Sequence, residues 1–395
     1  MPNDDSRDGG GAAASSAAAC SRMGPLTATE TALLLSDFPP VAHAIAYGSA
    51  VFAPQQYTAS EAAGAMTDLV FAVRDPLEWH RTNLARHPQH YSALGYLGPR
   101  AVAAFQERVG ACVYYNAFVP WRGRVIKYGV VSVDALVDDL SCWSKLYLAG
   151  RMHKPVQTLA TAPEVEAAAQ SNLRSALAAA LLMQPCSSFA ESELFATVCS
   201  LSYAGDPRQA LVESAKPLEI ATRQTSALRD LYAGPLRSVQ RAAPVTMSQG
   251  ETPMTIPQGL GGTGPAPRSA VTAAVCDTSA ERRFTLAPAL AARAPLLLSL
   301  PSHARAQLVA DLTGGRVAAV ENPSDDALLD AVRHLYRRGG GDEPGMRALG
   351  GALRSSLGRV VRRSSTSQTL KGVLTGGVVT TVRYVAAKLG KQLRR

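Results

Sequence analysis

Tyr47-Gly48-Ser49 closes one apolar run, and Asp68 heads another nineteen residues after Ser49, in Asp68-Leu69-Val70-Phe71-Ala72-Val73. A Gly-Ser turn lets backbone N–H groups approach a triphosphate closely, and an aspartate at a strand end can hold the magnesium ion that bridges its phosphates. A second carboxylate two positions on would face the same way and complete a metal pair, but that position is Val70. Two other carboxylates are candidates for the second ligand. Asp75 serves only if the chain turns before Pro76, because seven extended residues span about 23 Å. Asp139, on a helical stretch after a later strand, is the alternative. Lys127 lies on a strand expected beside Asp68 and could neutralise charge on a transferring phosphorus or its leaving group. His80 and Asn83 are candidates for a nucleotide pocket. His80, His87 and His90 do not read as a metal cluster, since Pro88 interrupts the helix that would align the last two and no acidic or Cys ligand accompanies them. Each residue also has a plainer reading: Asp68 as a turn residue at a strand edge, Lys127 on a solvated strand face, His80 on a helix surface.

These side chains need a sheet to hold them. Runs rich in β-branched and aromatic residues predict strands at Ala44 to Phe52, Leu69 to Val73, Ala111 to Asn116 and Arg124 to Val133, and helical spacing predicts a helix from Asp134 to Gly150. The fold class is α+β, with a sheet domain over 25–160. Residues 165–240 turn helix-rich, with helices at Asn172 to Met183 and Glu191 to Ser202, and form a small second domain. Residues 1–24 are Gly/Ala/Ser-rich and expected to be disordered. Residues 241–290, rich in Pro, Gly, Ser and Thr, read as a flexible insertion rather than a phosphate loop, since no strand precedes their glycines. Residues 291–350 continue the helical part.

Composition narrows the partners. The net charge of +9 arises from 40 basic and 31 acidic residues, and ten of the basic ones lie in 351–395, which contains no Asp or Glu. The remaining body is nearly neutral, so the tail alone calls for an anionic partner. Leu370, Leu374, Val378, Val382, Val385, Leu389 and Leu393 form a helical stripe among Lys371, Arg383, Lys388, Lys391, Arg394 and Arg395, as expected of an interfacial helix on anionic lipid. A run long enough to span a bilayer is absent. The tail offers one aromatic residue, Tyr384, which argues against nucleic acid as its partner. Six cysteines without regular spacing indicate neither disulfides nor zinc, and fit a reducing compartment. The N-terminus, with Asp4, Asp5 and Asp8, does not carry the acid-free pattern of a mitochondrial transit peptide.

The motifs gain specificity from their order. Tyr47-Gly48-Ser49 with Asp68 resembles the nucleotidyltransferase superfamily. Adding Asp75-Pro76-x-x-Trp79-His80-x-x-Asn83-Leu84, His90-Tyr91-Ser92, Tyr114-Tyr115-Asn116 and Ile126-Lys127-Tyr128-Gly129, the chain resembles the mitochondrial phosphatidate cytidylyltransferase family, the translocator assembly and maintenance proteins. Asp139-Leu140, Leu146-Tyr147-x-Ala149-Gly150-Arg151, Lys154-Pro155-Val156, Ser202-Tyr203-x-Gly205-Asp206-x-Arg208 and Ser364-Ser365-x-x-Gln368-x-Leu370-Lys371-Gly372 extend the match. The resemblance implies a nucleotidyltransferase-like mixed sheet domain, a small winged-helix-like helical domain and a C-terminal amphipathic helix. It implies CTP and phosphatidate as substrates, magnesium as cofactor, a place on the matrix face of the inner mitochondrial membrane, and cardiolipin synthesis downstream. Tyr47, Gly48, Ser49, His80, Asn83, Tyr128, Lys154 and Arg208 become the expected nucleotide contacts, Asp68 and Lys127 the catalytic pair, and Asp68, Asp75 and Asp139 the metal candidates. This chain departs from the family at Arg74, where a second acid is usual, and at Gln209 and Val212-Glu213. The rival readings are an RNA nucleotidyltransferase and a non-catalytic membrane scaffold with a degenerate nucleotide fold.

Overall fold

A computed structural model describes residues 23–52, 66–205, 216–249, 281–315 and 322–392, with 373–392 described by backbone alone. Helix α1 (Ala28–Asp37) precedes a five-stranded sheet made of β1 (His43–Tyr47), β2 (Met66–Val73), β3 (Tyr114–Trp121), β4 (Arg124–Ser132) and β5 (Gln157–Ala160), in the order β3-β4-β2-β1-β5. β2 and β4 run parallel, and the other neighbours antiparallel. The parallel pair needs a long crossover. It is supplied by α2 (Pro76–Arg86), two short 3₁₀ turns (Pro88–His90 and Ala93–Leu97) and α3 (Pro99–Arg108), which together cover one sheet face.

Strand alternation divides the sheet into two different faces. Leu69, Phe71, Tyr128 and Val130 point into a core with Leu34, Phe38 and Trp79. Ile45, Val70, Ala72 and Val131 point the other way, into a larger core shared with α4 (Val133–Cys142) and α5 (Pro163–Leu182). From Ala176 to Leu182 every residue of α5 is buried, and its alanine run lets neighbouring elements approach closely. The helical part shares this core with the sheet, since its central helix packs on that face.

The helix expected from Asp134 to Gly150 stops at Cys142, where Trp143 adopts a left-handed conformation with φ 56°. Beyond Trp143 the chain forms a loop wound around Asp139. The expectation of an insertion over 241–290 is also corrected: β7 (Val245–Gln249) and β8 (Arg282–Leu286) pair with β6 (Ser188–Ala190) in a second sheet, ordered β6-β8-β7. Residues 250–280 between them lie outside the described residues, as do 1–22. Around that sheet stand α6 (Glu191–Ser200), α7 (Lys216–Arg223), α8 (Thr225–Ala242), α9 (Leu290–Leu298), α10 (Ser302–Leu312) and α11 (Asp325–Gly339).

The last helix, α12, spans Asp342–Gln392. Leu353, Leu357 and Val361 are buried, so the tail does not begin at 351. Lys371, placed by sequence on the interfacial helix, is buried against the sheet domain instead, as is Gln368 of the last matching motif. The Lys371 ammonium donates to the carbonyls of Phe105, Gln106 and Val109 at 2.7–3.0 Å, at the negative end of the α3 dipole. Burial pushes its pKa down to about 8. Gln368 accepts from the Ala111 N–H and donates to the Val113 carbonyl. Among the described residues no helix is long and apolar enough to cross a membrane.

Candidate active site

Asp68 stands opposite Tyr47 across β1–β2 and opposite Lys127 across β2–β4. All three project from the sheet face that carries Val70 and Val131. The Lys127 ammonium reaches Asp68 Oδ1 at 3.1 Å and lies 4.6 Å over the Tyr115 ring. Side-chain exposures of 22% and 29% leave this pair open to a ligand while shielding it from bulk water. Tyr115 can lie flat there because the facing residue is Gly129, where a Cβ would come 2.5 Å from the tyrosine ring.

The Gly-Ser turn closes the site at the end of β1. Gly48 has φ +89°, its carbonyl accepts from the Val51 and Phe52 N–H groups, and a Cβ on it would sit 3.2 Å from Asp68 Oδ2. Only glycine combines that conformation with so close an approach. Ser49, next in the turn, is exposed.

Arg151 is a candidate site residue that lies within a sequence motif without standing out in it. Its guanidinium carbon stacks 3.9 Å over the Tyr147 ring, its Nε donates to the Tyr47 hydroxyl at 3.3 Å, and its Nη1 donates to the Tyr147 carbonyl at 2.6 Å. Burial, and then the negative charge of Asp68, push the Tyr47 phenol well above its ordinary pKa, so it stays protonated. Lys154 lies a few residues on. Its ammonium donates to Ser202 Oγ at 2.9 Å and sits 4.7 Å over the Tyr203 ring. Burial, reinforced by the charges of Arg151 and Lys216, lowers its pKa to about 8. Neither Arg151 nor Lys154 has an ion pair with a carboxylate among the described residues. Two half-buried cations on aromatic faces, without an acidic partner, are a site for an anion.

Asp139 holds this arrangement in place and is not a metal ligand of it. Its Oδ1 accepts from the N–H groups of Lys145 and Leu146, and its Oδ2 from those of Tyr147, Leu148 and Ala149. Burial raises its pKa and these amides oppose the rise. The carboxylate is consumed in fixing the loop that carries Tyr147 and Arg151. Asn172 clamps the same loop, accepting from Trp143 Nε1 and His153 Nε2 and donating to the Ala149 carbonyl.

Asp75 is also corrected as a metal candidate. It caps α2, accepting from the Glu78 N–H at 3.0 Å, beyond the far end of β2 from Asp68. Arg74 beside it pairs with Glu164. Among the described residues no group of three His, Cys, Asp or Glu side chains could hold a metal.

His80, Asn83 and Tyr128 form a group of their own on the opposite sheet face, each fully buried. Asn83 Nδ2 donates to the hydroxyls of Tyr91 and Tyr128, at 2.9 and 3.0 Å. Those hydroxyls then donate to His80 Nδ1 and His90 Nδ1, which leaves His80 Nε2 to donate to Gln106 Oε1. Burial holds both histidines neutral, with pKa values near 4. Asn83 Oδ1 and Gln106 Nε2 have no protein partner there, the kind of gap an ordered water fills. These three residues lie behind the sheet from Asp68. Arg208 is outside the described residues.

Comparison with known proteins identifies the family. The family described as mitochondrial phosphatidate cytidylyltransferase matches residues 31–391. The Xenopus laevis protein of that name is 34% identical over 365 residues, covering 91% of this chain and 94% of its own. The Bos taurus protein is 35% identical, covering 91% of this chain and 92% of its own. The Homo sapiens protein is 42% identical over a shorter stretch, 52% of this chain and 46% of its own. With a match over nearly the whole chain and relatives of this closeness, the chain belongs to the mitochondrial phosphatidate cytidylyltransferase family.

Proposed function

We propose that this chain transfers the cytidylyl group of CTP to phosphatidate on the Asp68–Lys127 face of its sheet, giving CDP-diacylglycerol and pyrophosphate. The observation that carries the reading is the grouping of Lys127 on Asp68, beside a glycine turn, with Arg151 on the facing Tyr47 and Lys154 near Arg151, the last two cations lacking acidic partners among the described residues. Magnesium fits this donor set in the form it takes with nucleotides, held by one or two carboxylates while substrate phosphates and water fill the remaining positions. Asp68 is the carboxylate that would hold it. When bound, the ion would neutralise phosphate oxygens.

The chain's own residues do the rest. A phosphate oxygen of phosphatidate attacks the α-phosphorus, a new P–O bond forms, and the bond to the β-phosphate oxygen breaks as pyrophosphate leaves. Phosphatidate is already an anion near neutral pH, so no strong general base is required, and none of the neutral buried histidines is called upon. The required elements are charge neutralisation and alignment. Lys127 exchanges its Asp68 partner for phosphate oxygens, the Gly48 turn admits the triphosphate backbone, and Arg151 and Lys154 receive its distal charge. Placement in the mitochondrion, on the matrix face of the inner membrane, belongs to the same reading, as does a supply of product to cardiolipin synthesis. So does contact of the helix beyond Lys371 with an anionic lipid surface rather than with nucleic acid.

The test is purified protein with cytidine-labelled CTP, magnesium and phosphatidate vesicles. A lipid-soluble labelled product supports the proposal. Label incorporated into RNA, or no product under conditions where CTP binds, overturns it.

A further inference from the structure

Tyr96 and Leu97 are 94% and 71% exposed, the two most exposed large apolar side chains among the described residues. They sit side by side in the 3₁₀ turn Ala93–Leu97. That turn is rigid. Its ends are tied by Gly95 N–H to the Ser92 carbonyl and Gly98 N–H to the Gly95 carbonyl, and a Cβ on Gly95 would come 2.9 Å from Tyr91 and 3.2 Å from Leu84. Tyr91 itself is held through its hydroxyl by His80 and Asn83. A soluble surface has no use for an ordered turn that holds a tyrosine and a leucine in water.

Its place in the fold indicates what covers it. α2 starts at the far end of β2, and the chain after it comes back to the level of Asp68 at His90, which bonds Tyr128, the register partner of Leu69. His90, just before the turn, bonds Tyr128, the chain neighbour of Lys127, and Tyr91 shares the Asn83 amide with it. α12 docks through Lys371 at the C-terminal end of α3 and also comes alongside the turn at the other end of α3. Beyond that dock its sequence carries Arg383, Lys388, Lys391, Arg394 and Arg395 and no acid. Arg100, one turn into α3, is exposed.

We infer that the Tyr96–Leu97 turn inserts into the lipid interface as a contact of the folded body, additional to the tail, and orients the Asp68 end of the sheet toward an anionic membrane. A tyrosine and a leucine side by side suit that depth, the ring at headgroup level and the alkyl chain below it. This rests on the proposal that the substrate is a lipid, but its test does not depend on turnover.

The experiment uses the full chain with Tyr96→Trp, whose native tryptophans Trp79, Trp121 and Trp143 are all buried. Emission at position 96 shifts to the blue on adding vesicles of phosphatidylcholine with phosphatidate, and lipids brominated on the acyl chain quench it. A second variant, Tyr96→Asp with Leu97→Asp, floats with those vesicles about tenfold less or worse, the scale of losing one large apolar side chain from a buried surface. It still turns over a monomeric short-chain phosphatidate at the wild-type rate. Emission at position 96 that ignores vesicles overturns the inference, as does a shift that follows protein concentration without lipid, which would make the turn an interface between copies. If flotation falls as expected but neither protein makes product from the short-chain substrate, the membrane contact stands and the catalytic proposal fails.

Discussion

The two faces of the central sheet both carry chemistry-bearing residues and use them in opposite ways. On one face Asp68 and Lys127 pair with each other at a partly exposed place, and the half-buried Arg151 and Lys154 have no carboxylate partner among the described residues. On the other, the buried His80, Asn83 and Tyr128 and the half-buried His90 and Tyr91 are neutral and bonded to one another. Charge left unsatisfied at an accessible place is available to a substrate, whereas polarity closed on itself is scaffold. Every motif that spans β4 splits this way, since Lys127 and Tyr128 are adjacent in sequence and face opposite cores.

Substitutions sharpen the contrast. Asp68→Asn keeps the shape and removes the charge, and turnover should fall below detection while the thermal midpoint stays near wild type. Wild-type turnover in that variant would place the catalytic carboxylate elsewhere. Lys127→Met should lower kcat by about 10²-fold or more, the scale of removing one charge-stabilising donor from a transition state. A change confined to KM would make Lys127 a ground-state binder instead.

The scaffold should respond in stability. Asp139→Asn turns one acceptor into an NH₂ group facing backbone N–H donors, so unfolding should become easier by about 2–4 kcal/mol, with activity lost in step as the Arg151 loop loosens. If the variant kept its stability but needed far more magnesium, Asp139 would be a ligand after all. Tyr128→Phe removes the hydroxyl between Asn83 and His90 and should cost about 1 kcal/mol in denaturant unfolding with kcat unchanged. A large fall in kcat would bring the buried face into the site.

Much of this is legible in sequence and some is not, for identifiable reasons. Four strands of the central sheet, the Asp68–Lys127 adjacency and the glycine turn follow from periodicity and local chemistry, whereas the short β5 does not. Asp139 is misassigned from sequence because its partners are backbone amides, which carry no sequence signal, and a carboxylate wrapped by its own loop looks the same in sequence as a metal ligand. Lys371 is misassigned because a basic residue in a helical stripe reads as solvent-facing, whereas the end of α3 presents carbonyls that bury it. β7 and β8 are missed because the 250–280 stretch between them dominates the composition of the window. Arg151 carries one usable signal, a cation directly after the Ala149-Gly150 close approach, where a Cβ on Gly150 would come 2.2 Å from Ser202.

Lys154 gives the smallest effect and separates the faces by pH. Burial and its basic neighbours hold its pKa near 8, below the ordinary lysine value of 10.5, and a bound triphosphate would raise it. Below pH 8 the ammonium is present to meet the anion. Above pH 8 the free protein has lost that proton and must regain it on binding, so KM for CTP should rise a few-fold between pH 7.5 and 9, about tenfold per unit at most for a single proton. Stability should move the other way. The unfolded chain holds more protons than the folded one between about 8 and 10.5, so Lys154, and Lys371 with its similar pKa, stabilise the fold as pH rises through that window. Lys154→Arg keeps its charge throughout and should flatten the KM profile, whereas Lys371 lies at the far end of α3 and its replacement should alter only the stability profile. A KM profile unchanged by Lys154→Arg would remove Lys154 from the triphosphate site and leave Lys127 and Arg151 as its cations.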